Sequence, residues 1–251
     1  MSAQRPPLTA GRGTRNEGTR QYNLSTLVSL VHHSGGASRA ELTRLTGLNR
    51  STVGTLVADL ATAGLVFEDE PEVTGAGRPS PVVRPAADVA VLAVNPDIDA
   101  VEVGLVGLGG RVIAHDRREL SAPPEPEAAL AIAAEMWRAL ADQHPGLRLL
   151  AAGIAVPGLV RTADGLVVRA PHLRWHDVDL ADAAAEAFQV PTVVRNDARA
   201  SVVAESIFGA GRGVSDLLYF HGSASGIGGG AVVDGSVLVG ADGFAGEFGH
   251  T

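Results

Sequence analysis

Residues 149 to 156, LLAAGIAV, form an unbroken apolar run that ends at Pro157-Gly158. A strand with one wet face alternates polar and apolar side chains, whereas a strand covered on both faces does not, so this run predicts a buried central strand. Its surroundings repeat a strand-helix alternation. A helix from about Glu127 to Asp142 carries a stripe of Leu130, Ala133, Met136, Trp137 and Leu140; a further helix near 179–188 and a strand at Thr192 to Val194 follow. Upstream, Val89, Val91 and Val94, then Val101, Val103, Leu105 and Val106, then Val112 and Ile113 follow period two. They are broken by Gly107-Leu108-Gly109-Gly110, which predicts an antiparallel meander over 85–122. Most of the chain is therefore of α/β class.

The first third reads differently. Residues 1–20 are Pro, Gly, Thr and Arg with few apolar side chains and bury too little to offset the entropy of ordering, so a flexible arm is expected. From Tyr22, Leu24, Leu27, Val28, Leu30 and Val31 recur at helical spacing up to Ser34-Gly35-Gly36. Ser38-Arg39-Ala40-Glu41 is a capping-box pattern opening a second helix, with Leu42 and Leu45 expected inward and a stop at Gly47. A third helix opens on Asn49 to Ser51 and carries Val53, Leu56, Val57 and Leu60 to Gly64. Helix, glycine turn, helix is the spacing of a helix-turn-helix, and strands at 65–67 and 82–83 would add a wing.

At the start of the third helix Asn49, Arg50, Ser51, Thr52 and Thr55 can all bond to base edges or phosphates, with Arg39 and Arg44 beside them on the second. Arg78, in Gly75-Ala76-Gly77-Arg78-Pro79, is either a minor-groove contact or an ordinary linker arginine. Charge distribution agrees with a polyanion at this end. Residues 1–66 hold seven Arg against Glu17, Glu41 and Asp59, a balance of +4, whereas the whole chain is −8 and the remainder therefore −12. There is no cysteine, which excludes disulfides, a thiolate nucleophile and cysteine-bound zinc within these 251 residues. No apolar run approaches the roughly 18–20 residues of a membrane span and the first twenty lack a signal-peptide core, so a cytoplasmic protein without membrane partners is expected.

Chemistry gathers in the second half. The strand at 192–194 delivers Asn196 and Asp197 at its carboxyl end, where ligands of open α/β sheets collect, and a helix starts at Ala198. Asn196 both donates and accepts and Asp197 accepts from hydroxyls, a pair suited to a polyol; alternatively Asp197 only caps the helix. Gly226, Gly228 and Gly229 lie in a glycine run that frees backbone N–H groups for a phosphate, although a glycine-rich hairpin entry has the same composition.

GIAVPGLV, APHLRW, VVRNDARASVVAESIFGAG, GIGGGAVVDGSVLVG and GFAGEFGH follow one another in an order that resembles the ROK family of repressors, open reading frames and sugar kinases, over roughly residues 22–251. The resemblance implies a winged helix-turn-helix (21–84) after the arm (1–20). A ribonuclease-H-like, actin-like ATPase sugar-kinase fold would then follow as a first lobe (85–195) and the start of an incomplete second lobe (196–251). It further implies that Asn196, Asp197, Glu247 and His250 contact a sugar between the lobes, with Asp197 the base in kinase members. His250 would be a zinc ligand completed by cysteines in a longer chain. The stretch Asn95-Pro96-Asp97-Ile98-Asp99 stands where kinase members carry a glycine-rich phosphate loop, and its carboxylates oppose ATP phosphates, so Gly226, Gly228 and Gly229 are a remnant of the phosphate clamp. The expectation is a non-enzymatic, sugar-responsive regulator, most simply a repressor, with operator DNA and a sugar effector as partners in a homodimer or tetramer. The alternative is a hexose kinase.

Overall fold

The computed structural model describes residues 13–69, 80–223, 226–240, 243–246 and 248, which fall into two units divided between Ala86 and Ala87. In the first unit α1 (Gly13–Ser34), α2 (Arg39–Thr46) and α3 (Arg50–Thr62) pack with β1 (Ala37–Ser38), β2 (Val66–Asp69) and β3 (Val82–Pro85). The three strands form an antiparallel sheet in the order β1-β3-β2. Leu27, Val31, Leu42, Val53, Leu56, Val57, Leu60, Val66 and Val83 form its core. Local signals act as read: Ser38 Oγ accepts from Glu41 N at 3.2 Å while Ser38 N donates to the Glu41 carboxylate at 3.2 Å, and Gly47 ends α2 at φ 69°. Asn49 Oδ1 caps α3 by accepting from Thr52 N at 2.8 Å.

Three expectations change here. Helix α1 begins at Gly13, so the arm of residues 1–20 overlaps eight helical residues. Once the buried turns around Leu27 and Val31 nucleate it, extending the helix backward costs little per residue, and Arg20 fastens it to Asp59 of α3 at 2.6 Å. Leu45 is 52% exposed, not inward. Three residues turn a helix through about 300°, which carries Leu45 off the axis set by Leu42, and Leu48 packs on the core instead. The wing gains β1 as a third strand because residues 37–38 pair with Val82 and Val83.

In the second unit the strands β4 (Val89–Pro96), β5 (Ala100–Gly107) and β6 (Val112–Glu119) form the expected meander. Helix α4 (Pro126–Gln143) leads to β7 (Arg148–Val156), two small hairpins of β8 (Leu159–Val160), β9 (Val167–Ala170) and β10 (Trp175–Val178), then α5 (Leu180–Phe188) and β11 (Thr192–Asn196). The sheet order is β11-β7-β4-β5-β6, with β4, β7 and β11 parallel. One face packs Leu92, Val94, Val103, Leu105 and Ile154 against Met136, Leu140 and the start of α5. The other face is a groove of about 440 Å³ bordered by Ala93, Gly104, Gly153, Ala155 and Val193. The apolar run 149–156 predicts two covered faces; one is packed and the other borders the groove, and Leu150 is exposed where the register with β4 shifts, Ala90 pairing with Leu149 and Val91 with Ala151.

After β11 come α6 (Asp197–Ile207), β12 (Leu217–Ser223), β13 (Gly226–Val233) and β14 (Ser236–Val237), the last three an antiparallel sheet. Gly228 and Gly230 face α6, whereas Leu218, Phe220 and Ile227 on the opposite face are 67%, 63% and 66% exposed. Phe248 covers part of that face, its ring centroid 5.2 Å from that of Phe220. Among the described residues no helix is long and apolar enough to cross a membrane.

Candidate functional site

In the first unit the capped start of α3 presents Asn49, Arg50, Ser51 and Thr55 to solvent, and Arg44 is exposed on α2. Thr52 is half-buried, its N–H taken by the cap. Ser51 Oγ donates to Asn49 Oδ1 at 2.7 Å and Thr55 Oγ1 donates to the Ser51 carbonyl at 3.1 Å, so the row is pre-ordered along one helix edge. Arg39 also has a partner within the protein. Its Nε and Nη2 grip the two carboxylate oxygens of Glu68 at 2.5 and 2.6 Å, a two-pronged pair that ties α2 to the wing. Arg39 thus braces the wing while its side chain stays 37% exposed, and Arg44 and Arg50 are exposed beside it. Arg78 lies outside the described residues.

In the second unit, parallel pairing brings the carboxyl ends of β4, β7 and β11 to one edge. Asn196 is both the last residue of β11 and the N-cap of α6: its Oδ1 accepts from Arg199 N at 2.8 Å, and its Nδ2 donates to the Gly158 carbonyl at 3.0 Å and to Asp197 Oδ1 at 3.1 Å. The helix cap is therefore Asn196, not Asp197. Asp197 Oδ1 also accepts from Ala198 N at 2.7 Å, and among the described residues Oδ2 has no protein donor, so it stands available to a ligand hydroxyl. Burial pushes the Asp197 carboxyl above the usual aspartate range, the Ala198 N–H and the charge of His221 pull it back, and the negative charge of Asp97 raises it again. Asp97 sits in the β4–β5 turn, its Oδ1 accepting from Ile98 N at 2.7 Å, and Asp99 pairs with Arg117 at 3.1 Å. Glu247 and His250 lie outside the described residues.

The glycine run lies in a hairpin: Gly226, Gly228 and Gly229 pair with Ser223, His221 and Phe220 in the β12–β13 ladder, the glycine-rich hairpin entry that the sequence also allows. A Cβ on Gly228 would meet Ala198 at 2.9 Å and one on Gly229 would meet the Phe248 ring at 2.5 Å, so both are small because α6 and the last segment press on the strand. Gly226 alone of the three has a backbone that favours glycine, at φ 122° beside the hairpin turn. Sequence reasoning did not single out Arg199 or Gly158, which hold Asn196 and its helix in place. Gly158 lies inside the GIAVPGLV motif and Arg199 inside VVRNDARASVVAESIFGAG, so those motifs were the available signals.

Against known proteins, the sequence profile of the ROK family matches residues 92–251. The chain belongs to the ROK family. The xylose repressor of Bacillus subtilis (strain 168) is 30% identical over 234 residues, covering 92% of this chain and 60% of the repressor. A crystal structure of a ROK family transcriptional regulator, described as a homologue of the E. coli MLC protein, superposes with TM-score 0.73 at 26% identity over 91% of this chain and 58% of that one. A ROK glucokinase from Streptomyces griseus, in complex with glucose and AMPPNP, superposes with TM-score 0.59 at 28% identity, over 64% of this chain and 50% of the enzyme. These neighbours share the actin-like fold expected from the sequence. The chain spans about 60% of the length of the repressor relatives it matches.

Proposed function

We propose that this chain belongs to a sugar-responsive, DNA-binding transcriptional repressor. One observation carries the reading: repressor relatives align over 92% of the chain and so include the helix-turn-helix unit, whereas the glucokinase structure covers 64%. Asn49, Arg50, Ser51 and Thr55 would meet a major groove, with Arg44 on the flanking phosphates. Asn196 and Asp197 would grip sugar hydroxyls, joined by Glu247 and His250. A dimer or tetramer would place two recognition helices about 34–36 Å apart or a multiple of it, so that sugar binding, by changing that spacing, changes operator affinity. His250 would be a zinc ligand only in a longer chain that supplies cysteines, and no step of the proposal uses the metal.

Two measurements test the reading. Arg50→Ala is expected to weaken specific operator binding by about 1–3 kcal/mol in a salt-controlled titration, while leaving non-specific binding nearly unchanged. An equal loss on all sequences would move Arg50 to a phosphate contact, and no loss on any would remove it from the face. Incubation with ATP, Mg²⁺ and a panel of hexoses and pentoses is expected to form no ADP above background. By the resemblance, Asp97 and Asp99 of the β4–β5 turn would stand where a kinase needs neutral or positive surroundings; Asp99 is paired with Arg117, so Asp97 carries the argument, and like charges a few ångströms apart cost on the order of 1 kcal/mol or more at an effective dielectric near 20. Sustained turnover would restore the kinase alternative.

A further inference from the structure

Arg199 is half-buried near the start of α6, three residues past the cap residue Asn196. Its Nη1 donates to Thr162 Oγ1 at 2.7 Å and to the Gly243 carbonyl at 3.2 Å. These partners belong to separate segments. Thr162 sits in the turn between β8 and β9, itself closed by the Arg161–Asp164 ion pair and by Gly165 N donating to the Arg161 carbonyl at 2.8 Å. Gly243 opens the GFAGEFGH segment that leads to Glu247. Its φ of 90° favours glycine, and a Cβ there would collide with the Thr162 hydroxyl, so backbone and turn are already in contact.

Both oxygens held by Arg199 are uncharged. Burial lowers the Arg199 pKa, and the nearby positive charge of Arg195 lowers it further. A guanidinium placed at that cost against a hydroxyl and a carbonyl, with no carboxylate partner among the described residues, does little for net stability. What it does supply is geometry. The two N–H bonds of its one terminal nitrogen Nη1, set in the guanidinium plane, reach both oxygens and fix them relative to one another, and its own backbone N–H is fixed by Asn196 Oδ1.

We infer that Arg199 is a positioning residue for the effector site: it clips the segment beginning at Gly243 to the β8–β9 turn and holds both beside Asn196 and Asp197, so that sugar affinity depends on it although it touches no sugar. This rests on the sugar-site reading above, but the clip itself is testable without a sugar. Arg199→Ala and Arg199→Lys are compared with the parent protein by limited chymotrypsin digestion after Phe244 and Phe248, by melting temperature, and by calorimetry with D-xylose, D-glucose and N-acetyl-D-glucosamine.

The expected result for Arg199→Ala has three parts. Cleavage at the two phenylalanines rises tenfold or more with the melting temperature nearly unchanged, affinity for the sugar that binds the parent falls at least tenfold with operator affinity unaltered, and millimolar guanidinium restores both. Lysine restores at most part, since its freely rotating ammonium lacks the rigid guanidinium plane that aims the two Nη1–H bonds. Unchanged cleavage and unchanged sugar affinity overturn the inference. So does a large fall in melting temperature with loss of DNA binding, which would make Arg199 a general structural residue. If cleavage rises but none of the sugars binds the parent, the clip stands and the sugar-site reading fails.

Discussion

Asp197→Ala is expected to abolish the response to sugar while leaving operator binding intact. A carboxylate that accepts from two sugar hydroxyls contributes about 1.5–3 kcal/mol for each charge-assisted bond, so its loss weakens binding by roughly a hundred- to ten-thousandfold. DNA affinity should hold because the recognition helix belongs to the other unit. Calorimetry with the best sugar from a thermal-shift screen, alongside footprinting on the operator, reads both; a variant that still binds sugar normally would put the site elsewhere. Asp197→Asn carries a second, opposite consequence. The folded-state pKa lies above that of the unfolded chain, with burial the largest cause, so between the two values the folded protein holds a proton the unfolded one has released. Stability therefore falls as pH rises through that window, and the full cost of the buried charge is present at neutral pH. The neutral amide removes it. The melting temperature of Asp197→Asn should exceed that of the parent at pH 7, and the difference should shrink as pH drops toward the ordinary aspartate value. The same protonation should weaken sugar binding by the parent on the acid side.

How much of this was legible beforehand depends on the range of each interaction. Periodicity carried α4, α5, the meander and β11, because each buries a face written in consecutive residues. Caps were equally local: Ser38 with Glu41, and Asn49 with Thr52, act within one helical turn. The pair Asn196-Asp197 could be placed at a sheet edge because a strand and a helix meet there, but which of the two caps the helix could not, since either side chain can accept from the first turn. The contacts that escaped link residues far apart in the chain. Arg39 and Glu68 are 29 positions apart, and Arg199 and Gly243 are 44. Their pairing follows from how the wing and the last segment fold back, which no local pattern states. The hairpins of β8, β9 and β10 were missed for a related reason. They are two to four residues long and carry Arg169, His176 and Asp177 among their apolar positions, too few for period two to emerge. Glycine was ambiguous throughout, since a phosphate cradle, a tight turn and a strand pressed by a helix all ask for the same missing Cβ.

That ambiguity resolves sharply within one motif. Gly153 and Gly158 both belong to GIAVPG, yet alanine should have opposite effects at the two. At Gly153, inside β7, an added Cβ meets nothing within 4 Å, so Gly153→Ala should be neutral or stabilise by about 0.5–1 kcal/mol through the reduced freedom of the unfolded chain. At Gly158 the Cβ would stand 2.5 Å from the Arg169 carbonyl and 2.8 Å from Ala170 Cα, both backbone atoms of β9 that cannot rotate away. The hairpin must shift, at about 1–3 kcal/mol for overpacking. The Gly158 carbonyl moves with it, and that oxygen receives the Asn196 amide at 3.0 Å. Losing the bond adds about 0.5–1.5 kcal/mol and frees Asn196 to rotate away from Asp197. Gly158→Ala should therefore lower stability by roughly 2–4 kcal/mol in chemical denaturation and also weaken sugar binding at temperatures where the variant is still fully folded. Equal stability of the two alanine variants would mean that the β7–β8 corner yields more easily than this geometry allows, and Asn196 would then owe its orientation to the helix cap alone.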